Sequence, residues 1–199
     1  REGDGKAICQ AAIDAVNKAS PPSSSSATTT SSNKPQWDNT PVREGAPNAA
    51  KINKYITPTE MLTTSSSTGD LIYCIRAGKI DDVSLMKSMN SVSDLVDFFL
   101  YCKEVNAIVA NDRSQQVGQL LSVITVNDLD GLQLIGGDAT FRQALSDASK
   151  QANVLYPALG GPTLLLNLPK LVSALVKLFT PLFPPEVQKR LKFERGPLQ

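Results

Sequence analysis

The chain has 199 residues, which is enough for one domain with an extension or for two small domains. Its net charge of +1 at pH 7 provides no overall positive field for a nucleic-acid partner. It has no histidine and three widely spaced cysteines, so histidine-based catalytic triads, histidine-ligated metals and a disulfide framework are excluded.

The first 56 residues are expected to form a short helix, which needs a surface to pack on, followed by a linker arm. Residues 1–19 place alanines, Ile8 and Val16 on one face and predict a short amphipathic helix. Residues 20–56 are rich in Ser, Thr and Pro and predict a linker arm, because such a segment buries too little apolar surface to offset its chain entropy. Trp37 is isolated within this arm. It is either an anchor for a protein partner or a loop residue that packs on the nearby domain.

Residues 57–199 are predicted to form one domain, with a helical lead-in over 57–111 and an α/β part over 112–199. In the lead-in, Thr57 and Glu60 have the spacing of a capping box that begins a helix. Two short helices are then expected on either side of Gly78. A longer helix follows, because apolar residues recur every three or four positions from residue 91 to residue 110.

In the α/β part, segments with the residue pattern of a strand alternate with segments that have the pattern of a helix. Residues 118–131 are rich in β-branched residues and predict a strand that ends in a polar turn. Residues 138–155 predict an amphipathic helix, and residues 160–169 a short buried strand of the parallel type. Residues 191–193 are expected to begin another strand. This succession predicts an α/β fold with a mixed or parallel sheet.

The most apolar stretch of the chain is residues 167–185. It is not expected to span a membrane, because it holds two lysines and several prolines. As a helix it would show only a narrow polar stripe, so its wide apolar face requires cover on two sides. The alternatives are a helix central to the core or one that also covers a ligand, a partner or a bilayer surface. Residues 168–199 carry six basic and two acidic groups, which would suit anionic headgroups.

An ordered set of short motifs in residues 71–199 resembles the CRAL-TRIO lipid-binding family. The set is a strand-end "DLDG", a Tyr-Pro pair, a glycine, an apolar strand ending in Asn-x-Pro, and a later proline break. The residues that carry the resemblance are Asp128, Gly131, Tyr156, Pro157, Gly160, Asn167, Pro169 and Pro181.

The resemblance implies a sheet that forms the floor of an apolar pocket, with a mobile gate helix over it. It also implies binding without covalent chemistry, with no cofactor other than a bound lipid. The residues implied as gate and pocket lining are Leu171, Leu175, Leu178, Phe179, Leu182 and Phe183. Those implied in headgroup or membrane contact are Lys177, Lys189 and Arg190.

The chain departs from the family pattern in two places. Phosphatidylinositol-binding members commonly have an acidic residue after Tyr-Pro, where this chain has Ala158. The basic residue often found after the glycine is replaced by Gly161 and Pro162. The family domain normally continues beyond a position equivalent to Gln199, so its C-terminal part is expected to be missing here.

Two functions follow from these observations. The first is non-enzymatic binding or transfer of a phospholipid, a tocopherol-like lipid or an isoprenoid at a membrane surface. The second is a structural or accessory subunit of a larger membrane-associated complex, for example in a plastid or mitochondrion, with the CRAL-TRIO fold and the N-terminal arm as its docking scaffold. An enzyme is not expected, because the carboxylates Asp128 and Asp130 lie in a polar turn with no histidine or lysine nearby in sequence. The expected location is cytosolic or organellar and peripheral to a membrane, not secreted.

Overall fold

The structure is a computed structural model that describes residues 2–19, 39–132, 137–168 and 191–194. Its helices are α1 Glu2–Ala19, α2 Thr40–Arg43, α3 Ala49–Ile52, α4 Asp82–Ser88, α5 Val92–Val117 and α6 Ala139–Leu155. Its strands are β1 Met61–Ser65, β2 Leu71–Arg76, β3 Val123–Asp128, β4 Gly160–Leu166 and β5 Leu191–Glu194. A short 3-10 turn, Ala77–Lys79, follows β2.

The five strands form one sheet in the order β1-β2-β3-β4-β5. β1 is antiparallel to β2, and the remaining neighbours are parallel. The α/β fold with a mostly parallel sheet is therefore confirmed. The strands predicted within 118–131 and 160–169 and from residue 191 are present as β3, β4 and β5.

Helices α5 and α6 pack against one face of the sheet, here called the helical face. Tyr73 of β2 and Val123 of β3 belong to the same buried cluster as Phe99 of α5 and Phe141 of α6. The Ser91 hydroxyl accepts from the Asp94 N–H and begins α5, and Gly118 ends it with a positive φ of 70°. Asp138 caps α6 by accepting from the Thr140 and Phe141 N–H groups.

The helical lead-in predicted over 57–111 is wrong in its first part, where the chain forms β1 and β2. The predicted pair of helices around Gly78 is instead strand β2, the 3-10 turn and α4. β2 lies between two strands and is apolar on both faces, so its sequence is a continuous apolar run whose periodicity does not separate helix from strand. Only half of the predicted capping box forms: the Glu60 carboxylate accepts from the Thr57 N–H and hydroxyl, whereas the Thr57 hydroxyl accepts from the Thr59 N–H. This contact closes a single turn before β1.

The chain packs into the domain from residue 39 onward, earlier than the linker boundary predicted at residue 56. Val42, Ile52 and Ile56 are buried in the main core. Arg43 is also buried and donates to the backbone carbonyls of Met61, at 2.9 Å, and of Ile56. The residues that fold this segment are sparse and interspersed with polar ones, so composition alone does not reveal them.

Helix α1 is present as predicted and packs on α5. Ala12 is fully buried in the main core cluster, and Ala11, Ala15 and Val16 pack against that cluster. An alanine-rich face permits close approach of two helices. The helix therefore joins the domain instead of standing free of it.

Candidate functional site

A cavity of about 490 Å³ lies between the helical face of the sheet and helices α5 and α6. Its floor comes from alternate residues of three strands, because successive side chains in a strand point to opposite faces. These floor residues are Tyr73 and Ile75 of β2, Val123, Thr125 and Asn127 of β3, and Gly161 and Thr163 of β4. Its walls include Phe99, Lys103 and Asn106 of α5, Leu145, Ala148, Ser149, Ala152 and Asn153 of α6, and Tyr156 and Leu159.

The walls are of two kinds. Phe99, Val123 and Leu145 supply apolar surface, as in most ligand sites. Amides, hydroxyls and one ammonium group also line the cavity, and some of them, such as Ser149 and Asn153, lie on its solvent-exposed side. The cavity can therefore hold a ligand with both apolar and polar parts.

Lys103 brings a positive charge into this cavity. Its side chain is half-buried, and its Nζ lies 5.3 Å from the centroid of the Tyr73 ring. Burial lowers the pKa of Lys103 below its usual value. Within the described part of the chain, no carboxylate lies within ion-pair distance of Lys103. Glu104, the next residue, binds the Tyr156 hydroxyl instead.

Asn106 contributes an unused hydrogen-bond acceptor. The residue is 1% exposed, and no described residue hydrogen-bonds its Oδ1. Because a buried polar atom without a partner costs about 1–3 kcal/mol, such an atom at a cavity wall is a place where a ligand or a water can bind. Asn106 follows Lys103 by three positions, so both side chains lie on one side of α5.

The Tyr156 hydroxyl links the end of α6 to α5 at one side of the cavity. It hydrogen-bonds the Glu104 carboxylate of α5 from the end of α6. Burial, and then this hydrogen bond, raise the pKa of Tyr156. Cys9 of α1 lies near Glu104. Burial, and then the negative charge of Glu104, raise the pKa of the Cys9 thiol. This contact positions α1 beside the helices that form the cavity wall.

A second polar cluster lies at the carboxyl ends of β2, β3 and β4. Asp128 Oδ1 accepts from Asn167 Nδ2 at 2.8 Å and from the Asp130 N–H at 3.1 Å. Arg76 Nε lies 3.8 Å from Asp128 Oδ2. Asn167 has a positive φ of 52°, a conformation that asparagine adopts more readily than most residues. The cluster fixes the chain as it leaves each strand.

Two glycines are required where the turn after β3 packs against the 3-10 turn after β2. Gly131 has a positive φ of 76°. A Cβ on Gly78 would collide with the Asp130 carbonyl oxygen and the backbone of Gly131 and Leu132. The "DLDG" motif therefore forms the turn after β3, whose backbone packs closely against the 3-10 turn. None of its four residues lines the cavity.

A family model for the CRAL/TRIO domain matches residues 60–197. The chain belongs to the CRAL/TRIO domain family. Among solved structures it is similar to Sfh5, seen in its crystal structure, with 12% identity and a TM-score of 0.43. That match covers 72% of this chain and 52% of Sfh5, so the chain spans about half the length of Sfh5. No curated protein matches the chain.

The predicted family-motif residues fall into four groups. Asp128 and Asn167 meet at the strand ends, with Gly131 in the turn after β3, whereas Tyr156 and Gly160 line the cavity. Pro157 is an exposed turn residue between α6 and β4. Pro169 and Pro181 lie outside the described residues, as does the partner-docking candidate Trp37.

The predicted gate and pocket residues also lie outside the described residues. They are Leu171, Leu175, Leu178, Phe179, Leu182 and Phe183, with the membrane-contact candidates Lys177, Lys189 and Arg190. No helix within the described ranges is long and apolar enough to cross a membrane. The same ranges hold no group of three or more acidic or cysteine side chains that could bind a metal ion.

Sequence reasoning missed the polar wall of the cavity, above all Lys103 and Asn106. A signal for them exists in α5. Phe99, Lys103 and Asn106 are spaced by four and three, so the two polar residues share the helix face of a core phenylalanine. A cation and an amide on a core-facing stripe indicate a polar site inside the domain.

Proposed function

We propose that this chain binds a lipid or another amphiphile, without covalent chemistry, in the cavity between α5, α6 and the sheet. The observation that carries the proposal is the cavity of about 490 Å³ within a CRAL/TRIO domain. The cavity is partly open to solvent on the side where Ser149, Asn153 and Gly160 are exposed, so a ligand can enter it. It falls within the range of about 300–1,000 Å³ that is usual for small-molecule sites.

The apolar segment 171–183 belongs to the proposal as the cover of the ligand. Its six large apolar side chains are costly to leave in water, at about 1.5–3 kcal/mol each. Contact with the apolar part of a ligand, and with a bilayer during exchange, would remove that cost. Lys177, Lys189 and Arg190 would then meet anionic headgroups at the membrane surface.

The alternative of an accessory subunit depends on an N-terminal arm that is free to dock on a partner. The described part of that arm, residues 39–56, instead contributes side chains to the core of its own domain. This observation favours the ligand-binding proposal over the docking proposal.

Native mass spectrometry of the purified full chain, followed by organic extraction and lipid identification, tests the proposal. We expect one stoichiometric lipid. A matched pair of variants then places it. Leu145→Trp fills the cavity from α6 and should abolish the adduct, whereas Leu145→Met keeps the volume and should retain it.

Two results would count against the proposal. One is a clean unliganded mass for the wild-type chain that persists after incubation with lipid vesicles, which would favour the accessory subunit. The other is an adduct that Leu145→Trp leaves unchanged while its thermal unfolding matches that of Leu145→Met. In that case the lipid binds elsewhere.

A further inference from the structure

We infer that the cavity selects amphiphiles whose headgroup carries both a negative charge and a hydrogen-bond donor, with Lys103 and Asn106 as the residues that read it. This inference rests on the proposed function and narrows its ligand class. Phosphate or carboxylate headgroups that also bear a hydroxyl or an N–H group meet both requirements.

The charge requirement follows from Lys103. An ammonium group that is partly withdrawn from water is stabilised by an anion or a set of acceptors that offset its lost hydration. The Tyr73 ring, 5.3 Å from Nζ, contributes a cation–π contact, which leaves the cation without a counter-ion from the described residues. Glu104 is committed to Tyr156 and is not part of the cavity lining. The partner of Lys103 is therefore supplied by the ligand.

The donor requirement follows from Asn106. Its Oδ1 can only accept, and none of the residues that the structure describes donates to it. A ligand that brings only an anion would leave this acceptor unmatched. A headgroup with a hydroxyl or N–H beside its anionic group satisfies Asn106 and Lys103 together, because the two residues lie one helical turn apart on α5.

The apolar walls set the remainder of the ligand. Phe99, Val123 and Leu145 line the same cavity and would hold the beginning of an acyl chain. The volume of about 490 Å³ lies in the lower half of the usual range for ligand sites. A single-chain amphiphile is therefore the appropriate probe.

The test is a competition among five probes on the delipidated full chain, read by native mass spectrometry. Oleoyl lysophosphatidate has a charge, a hydroxyl and a chain. Oleate lacks the hydroxyl at neutral pH, monoolein lacks the charge, oleyl alcohol has one hydroxyl and no charge, and glycerol phosphate lacks the chain. We expect lysophosphatidate to bind at least about tenfold more tightly than each of the others, because each of the others loses at least one of the three contacts and a tenfold change in affinity corresponds to only about 1.4 kcal/mol.

Three variants assign the preference to residues. Lys103→Met keeps the apolar stem and should remove the preference for charge, bringing lysophosphatidate close to monoolein. Asn106→Leu is nearly isosteric and should remove the advantage of lysophosphatidate over oleate. Lys150→Met removes the charge of an exposed lysine on α6 and should change nothing. Phosphorus NMR of bound lysophosphatidate should show a lowered phosphate pKa in the wild type that Lys103→Met abolishes.

The outcomes separate this inference from the proposed function. If none of the chain-bearing probes binds, the proposed function fails. If all of them bind equally, the proposed function stands and this inference is overturned. An equal loss of every probe in a Lys103→Met variant that unfolds like wild type would assign Lys103 a structural role and overturn it as well. Binding of glycerol phosphate as tight as that of lysophosphatidate would replace the lipid with a free phosphate compound and overturn it too.

Discussion

Individual polar residues in this chain have one of two roles: some stabilise the fold, and others are available to bind a ligand. Asp128 stabilises the fold: it accepts two hydrogen bonds and lies beside Arg76, and it is 7% exposed. Lys103 and Asn106 instead leave polar groups without partners among the described residues, which lowers stability. Uncompensated polar groups of this kind are typical of binding sites.

We expect Asp128→Ala to lower the free energy of unfolding by about 1–3 kcal/mol, because Asn167 and the Asp130 N–H lose a buried acceptor. Urea unfolding measures the effect. Asp130→Ala is the matched control two positions away, where an exposed carboxylate pairs with Lys79, and it should cost less than about 1 kcal/mol. Equal losses in the two variants would contradict the role assigned to the strand-end cluster.

The residue scale also limits what the sequence could predict. The strand ends at "DLDG" and Asn-x-Pro were predicted from a polar turn and from the family resemblance, and the positive φ angles of Gly131 and Asn167 lie there. Lys103 was not identified, because a lysine in a helix is normally solvated and only the packing of α6 and the sheet around it shows otherwise.

At the scale of elements, α5, α6, β3 and β4 could be predicted from periodicity and capping residues. β1 and β2 could not. The decisive fact for β2 is that it lies between two strands, and no local pattern encodes which neighbours a strand acquires. The inclusion of Val42 and Ile52 in the core was likewise not predictable, because it depends on distant contacts with β1 and α5.

The connection between β2 and β3 gives a pH prediction. Asp70, just before β2, accepts from the Ser122 N–H at 2.9 Å, just before β3. This hydrogen bond lowers the pKa of Asp70. A lowered folded-state pKa contributes stability that is present above the ordinary value of about 3.9 and is lost as the pH falls through the folded-state value.

Urea unfolding between about pH 5 and about pH 2 should therefore show a smaller acid-induced loss of stability in Asp70→Asn than in wild type. The asparagine can still accept from Ser122 but does not titrate. Parallel curves for the two proteins would show that Asp70 does not contribute to acid sensitivity.

At the scale of the molecule, α1 packs against α5 and so supports the wall of the cavity. It packs on α5 through the fully buried Ala12, and its Cys9 lies beside the Glu104 carboxylate that binds Tyr156. We expect Ala12→Glu to expel α1 and to cost about 2 kcal/mol or more, because a carboxylate is forced into an apolar contact.

Hydrogen exchange should then show faster exchange in α1 and in the Glu104–Tyr156 region for Ala12→Glu. Ile13→Glu is the control on the next position, where the side chain is 38% exposed, and its exchange should resemble that of wild type. If Ala12→Glu exchanges like Ile13→Glu, α1 does not hold the cavity wall.

The buried Arg43 shows that the folded domain starts before the family match. The family match starts at residue 60, yet Arg43 donates to the carbonyl of Met61 and Tyr101 donates to the carbonyl of Val42 at 2.7 Å. A gene fragment cut at the family boundary would encode a domain without part of its own interior. Recombination that moves this domain between proteins would therefore have to include residues 39–59, which precede the family match at 60–197.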